Sequence, residues 1–100
     1  MVKITVVKKA YFEDIVVQEQ SSLGNFQACE RFSEGQEFIL DSIGKMPEDF
    51  CAWAWADIHR DIVMIEYGAQ PPPKLTNPHS IYSCCTEGLR PVVFRIEKLQ

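Results

Sequence analysis

The run FCAWAWADIHRDIVMIEYG, Phe50 to Gly68, limits the fold more than any other part of the chain. Cys51, Ala54, Trp55, Ile58, Ile62 and Ile65 recur at helical spacing and form one apolar stripe. Glu48 and Asp49 favour the N-terminus of this helix, Pro47 fits its first turn, and Gly68 is suited to cap its end. Asp57, Arg60 and Asp61 are expected on its wet side. The partner for such a stripe is a sheet. Val2 to Lys9 alternates, with Val2, Ile4 and Val6 on one face and Lys3 and Thr5 on the other, the period of a half-buried strand. A turn at Ser33-Glu34-Gly35 leads into a short strand from Gln36 to Leu40. The C-terminal part reads as a hairpin: Ile81 to Cys85, a turn through Thr86-Glu87-Gly88, then Pro91 to Leu99. Between the first two strands, Phe12, Ile15, Val16 and Glu19 follow helical spacing until Gly24-Asn25 ends them. Three consecutive prolines in AQPPPKLTNPHS exclude regular structure and predict an extended surface loop. The expectation is a single α+β domain over residues 1–100: a small, mainly antiparallel sheet of about four strands, one long helix packed on it, and a shorter N-terminal helix.

Charge narrows the partners. Fourteen acidic residues outnumber ten basic ones, the net charge is −4, and the densest basic run is Lys8-Lys9. Phosphate backbones are bound by clustered Lys and Arg, so nucleic acid is not an expected partner. No apolar run approaches the roughly 18 residues that span a bilayer, so a membrane is not expected either. The opening MVKITVVKK alternates and lacks the apolar core of a signal peptide. The expected compartment is the cytoplasm, where thiols stay reduced. Cys29, Cys51, Cys84 and Cys85 are then free or metal-bound.

Three stretches belong together: FSEGQEFIL after Cys29, FCAWAWADIHRDI around Cys51, and CTEGLRPVVFRIEKL from Cys85. They resemble the pattern of a family of small proteins of about this length, found mostly in anaerobic bacteria and archaea. That pattern runs Cys, Gly-x-Glu-Phe, Cys-x-Trp-Ala-Trp, then Cys-Pro-Asp-Gly/Pro before Pro-Val-Val-Phe-x-Ile. The match runs from Cys29 to about Lys98, and its middle and last motifs are fairly specific. Thr86-Glu87 stands where many members have Pro-Asp, and Cys84 is an extra cysteine beside the family-type Cys85. No activity is established for that family, so the resemblance implies which positions belong together and no reaction.

The candidate chemistry follows the cysteines. None has a close partner of the Cys-x2-Cys kind that marks most zinc sites. Convergence in space would still let Cys29, Cys51 and Cys85 bind a soft metal such as zinc. Cys51, at the start of the long helix, is the best single candidate for a reactive thiol, because a helix N-terminus favours an anion. Its place in the apolar stripe equally suits a small core residue. Adjacent strand residues point to opposite faces, so only one of Cys84 and Cys85 can share a pocket with Cys51. Cys85 is the choice, since it abuts the turn. Trp55 belongs to the core stripe. Trp53 points about 200° away from it and must line a cleft, cover a partner or pack under the proline loop. His59 is expected at the surface. His79, in the loop after Asn77-Pro78, is a candidate to swing toward Cys84 or Cys85. Asp57 and Asp61 lie one turn apart, and a solvated face with Arg60 between them is the expected reading.

Phosphate-loop, dinucleotide and serine-nucleophile motifs are missing. Three readings remain. The first is a binding module whose site gathers Cys29, Cys51, Trp53, Cys85 and His79 around a small molecule or metal. The second is a thiol-dependent enzyme or redox protein using Cys51 or Cys85. The third is a homodimeric structural protein with core cysteines.

Overall fold

A computed structural model describes residues 1–69 and 75–99, apart from the side chain of Gln20. The proline run at 71–73, expected as an extended loop, lies outside the described residues. The elements are β1 (Val2–Lys9), α1 (Glu13–Gln18), α2 (Gln20–Leu23), β2 (Glu37–Leu40), α3 (Ala52–Glu66), β3 (Ser80–Cys84) and β4 (Val92–Lys98). The four strands form one sheet in the order β2-β1-β4-β3, antiparallel at each junction. The α+β architecture is the expected one.

Alternation decides which face is covered. Val2, Ile4 and Val6 are completely buried, and their register sets Ile4 opposite Phe38 on one side and Ile96 on the other. On the outer face, Lys3 lies 3.6 Å from Glu37 and 3.8 Å from Glu97. Val7 sits at a register shift between Val6 and Lys8 and is exposed. Beyond β1 the chain stays beside the β3–β4 connection through Ala10 N–H to Pro91 O and Phe12 N–H to Leu89 O, both 2.9 Å. The turn expected at 33–35 is present: Gly35 has φ 89°, which a side chain would strain, and its N–H donates to Val6 O at 2.7 Å.

Helix α3 packs on β3 and β4 through Ala54, Ile58, Ile62 and Ile65, all nearly or fully buried. Each isoleucine removed from water contributes roughly 1.5–3 kcal/mol, so this stripe anchors the helix to the sheet. Its C-terminus closes as expected. Gly68, at φ 83°, donates to Ile65 O, and Ala69 donates to Met64 O at 2.8 Å, the paired bonds of a Schellman cap. The N-terminus differs from expectation. Pro47 to Phe50 form a separate turn, with Phe50 N–H donating to Pro47 O. Asp49 takes φ 64°, a conformation a helix cannot continue through and one that Asp tolerates better than most residues. Glu48 and Asp49 therefore precede the helix, and Cys51 is its N-cap.

Two further expectations are corrected. Asp61 is buried, because it lies at the edge of the helix face that meets β3; Ser83, pointing inward from β3, donates its hydroxyl to the Asp61 carboxylate at 2.5 Å. The N-terminal helix is two short pieces, α1 and α2, with Glu19 between them. Only Val16 of its apolar residues is buried, while Phe12 and Ile15 stay exposed. The β-branched run Ile15-Val16-Val17 gives such a short helix little propensity of its own. Among the described residues no helix is long and apolar enough to cross a membrane.

Candidate functional site

Four phenylalanines fill the end of the core beneath the start of α3. Phe50 meets Phe38, Phe32 and Phe94 at ring-centroid distances of 4.8, 5.1 and 5.7 Å, the first two edge to face. This cluster positions two cysteines. The cluster holds Phe50, the residue before Cys51, and the Cys51 carbonyl accepts the Trp55 N–H at 2.9 Å and starts α3. Phe32, three residues beyond Cys29, pins that segment to the same cluster, and Arg31 Nη2 donates to Phe50 O at 3.2 Å.

The third cysteine arrives by strand alternation. Ser83 faces inward opposite Phe94, Cys84 faces outward opposite Val93, and Cys85 faces inward again. Cys84 is exposed and Cys85 is buried, the division expected of neighbours in a strand. Cys85 is tied to Val92 twice: its N–H donates to Val92 O at 3.1 Å, and the Val92 N–H donates to its Sγ at 3.2 Å.

Cys29, Cys51 and Cys85 line one cavity of about 580 Å³. Phe32, Ala54 and Val92 give it an apolar floor. Trp53, Thr86 and Gly88 form its other side. The Trp53 indole is 65% exposed, yet it is held: Nε1–H donates to Thr86 Oγ1 at 3.0 Å. Thr86 is fixed in turn by Asp57, whose Oδ2 accepts from the Thr86 N–H at 2.7 Å and from its hydroxyl at 2.9 Å. Asp57 lies one turn after Trp53 on the same helix face, so a single stretch of α3 both presents the indole and clamps the loop that supports it. Asp57 was expected on a solvated face, and its half-buried clamp is the correction.

Three charged groups also line the cavity: Arg31, Glu87 and Arg90. Glu87 accepts the Leu89 N–H at 3.0 Å and Arg90 Nε at 3.1 Å. The Leu89 amide holds the Glu87 carboxyl below its ordinary value of 4.5; partial burial works against this, and the Arg90 guanidinium adds to the lowering. Arg90 also lies 4.3 Å over the Phe26 ring and donates to Gln27 O at 3.3 Å, which joins the β3–β4 loop to the segment leading to Cys29. Neither Arg31 nor Arg90 stands out in the sequence, and Asp57, Thr86 and Glu87 are read there only as a wet helix position and a turn. The one available signal is that Arg31 follows Cys29 by two positions and Arg90 follows the Gly88 turn.

Of the sequence candidates, Cys29, Cys51, Trp53 and Cys85 border the cavity. His79 does not. It lies just before β3, at the end opposite Cys84, and the length of the strand separates the two by about 17 Å. Its backbone is engaged there: N–H donates to Asn77 Oδ1 at 2.9 Å, and its carbonyl accepts the Lys98 N–H at 2.8 Å. His59, expected at the surface, is half-buried, with Nε2 2.7 Å from Ile43 O and its ring 5.0 Å from Trp55. Trp55 packs against the core as expected and meets Phe50 edge to face.

All four cysteines are free thiols. Among the described residues no group of three or more His, Cys, Asp or Glu is arranged to hold a metal ion. Cys29, Cys51 and Cys85 therefore share a cavity without forming a ligand set for zinc. No family model matches this chain, and no curated protein and no solved structure matches it.

Proposed function

We propose that this chain is a small-molecule binding module of the reducing cytoplasm. Its site is the cavity between the start of α3, the segment from Cys29 to Phe32 and the β3–β4 loop. One observation carries the reading: thiols from three separate segments line a single cavity of about 580 Å³. That volume lies in the range of ordinary small-molecule sites, which combine an apolar lining with a few polar groups. The bonds from Trp53 to Thr86 and from Thr86 to Asp57 support it as well, because they hold a large exposed indole in place before any ligand arrives. The apolar floor and the indole favour an organic ligand.

Disulfide capture tests this. The native chain is equilibrated with N,N′-dibenzoylcystamine, a neutral aromatic disulfide, over a series of 2-mercaptoethanol concentrations. Occupancy at each cysteine is then read by mass spectrometry. Capture at Cys29 and Cys51 is expected to survive at least about tenfold more reductant than capture at the exposed Cys84, equivalent to about 1.4 kcal/mol of non-covalent contact. Trp53→Ala is expected to remove most of that excess. Equal retention at all three sites would contradict the reading.

A thiol-dependent enzyme or redox protein is the second reading. The observation favouring it is that Cys51 lines the cavity at the N-cap of α3 with no side-chain cap hydrogen bond. It expects Cys51 to react with iodoacetamide faster than Cys84 despite lower exposure. The opposite order would remove it.

A further inference from the structure

The charges lining the cavity do not cancel. Two arginines, the exposed Arg31 and the half-buried Arg90, line it with one glutamate, Glu87. Arg90 is committed: it pairs with Glu87, donates to Gln27 O and covers the Phe26 ring. Arg31 is not. Its guanidinium carries five N–H donors. Among the described residues it makes one hydrogen bond, to Phe50 O, and no carboxylate pairs with it. The carboxylate of Asp57 stands behind the Thr86 side of the cavity, with one oxygen already accepting both Thr86 donors. The positive end of α3 opens on the same space through Trp53 and Ala54, and no acidic residue occupies its first turn. A local positive excess in a chain of net charge −4 marks a place for an anion.

We infer that the cavity selects small organic molecules bearing one carboxylate, and that Arg31 receives it. This rests on the cavity being a ligand site. A single excess positive charge suits a monoanion. The planar guanidinium fork matches a carboxylate, whose two oxygens accept parallel N–H bonds. The rest of the ligand lies against the Trp53 face and the Phe32, Ala54 and Val92 floor. The half-buried thiols of Cys29 and Cys51 border the space it fills.

Three disulfides test the inference: 3,3′-dithiodipropionic acid, its isosteric diamide, and the smaller cystamine, which are anionic, neutral and cationic. In each exchange a protein thiolate attacks the probe disulfide, a mixed disulfide forms, and the other half leaves as a thiolate. No net oxidation occurs. The measured quantity is occupancy at Cys29 and Cys51 relative to Cys84 in the same molecule, which cancels the intrinsic reactivity of each probe. The acid is expected to give a ratio about fivefold above the diamide, the size of one partly exposed ion pair, and cystamine a ratio below both. In Arg31→Gln the acid and diamide ratios become equal. In Arg31→Lys, which keeps the charge and loses the fork, the acid preference falls without vanishing. In the unaltered chain, 1 M salt reduces the acid preference toward that of the diamide, so the charge dependence is read without any substitution. Equal acid and diamide ratios in the unaltered chain, or an acid preference unmoved by Arg31→Gln, would overturn the inference. Enrichment of the diamide alone would leave the ligand site standing and remove its carboxylate preference; no enrichment of any probe would remove both.

Discussion

At the scale of single residues, several polar side chains depend on partners that only folding brings to them. Asp61 reads in sequence as a solvated helix position, yet it is buried with the Ser83 hydroxyl as donor at 2.5 Å. Ser83→Ala leaves a buried carboxylate oxygen without that donor. It is expected to lower stability by about 1–3 kcal/mol, measured by urea unfolding. A change within error would mean that water or Arg60 replaces the bond at no cost. Glu87 carries a pH signature. Its folded carboxyl is held below the ordinary 4.5 by the Leu89 amide and Arg90. A carboxyl depressed on folding adds stability above its unfolded value and loses it as pH falls through the lower folded one. Stability is therefore expected to fall more steeply below about pH 4.5 in the unaltered chain than in Glu87→Gln. Parallel acid limbs would show that the Glu87 contacts contribute nothing.

At the scale of elements, local pattern was a reliable guide wherever one periodicity dominated. The alternation in Val2–Lys9 and the isoleucine spacing of α3 both ended with the expected residues inward. The Gly68 cap followed because a left-handed residue after the last apolar position serves a helix end and little else. The failures lie where tertiary contacts outvote local preference. Acidic residues at 48 and 49 look like a helix start, but anchoring Phe50 in the aromatic cluster moves the start to Ala52. The short helix from Glu13 has one buried residue and splits in two. The junction between α3 and the β3–β4 loop was not legible, because its bonds join residues 29 or more positions apart. Thr86→Val removes both hydroxyl bonds of that junction. It is expected to cost about 1 kcal/mol and to shift the Trp53 indole N–H resonance while leaving that of Trp55 in place. An unmoved Trp53 resonance would show that the indole is held by something other than Thr86.

At the scale of the whole molecule, one helix packs on the β3 and β4 side of a four-stranded sheet, and the cavity lies at the end of that sandwich where the helix begins. The convergence of Cys29, Cys51 and Cys85 was legible only as a coincidence of motifs. Strand parity sends Cys85 inward and Cys84 outward, a consequence of period two that the sequence does carry. The positions of Arg31 and Arg90 depend on which loops meet, and nothing local encodes that. The same parity leaves the outer sheet face, with Ile39 and Tyr82 exposed, remote from the cavity and suited as a reference surface. The most direct measurement uses a 15N-labelled sample titrated with benzoate and, separately, benzamide. Shifts are expected only at Cys29, Arg31, Cys51, the Trp53 indole and Thr86 to Gly88, with tighter binding of benzoate. Shifts on the outer face around Ile39 and Tyr82, with the cavity residues unmoved, would contradict it.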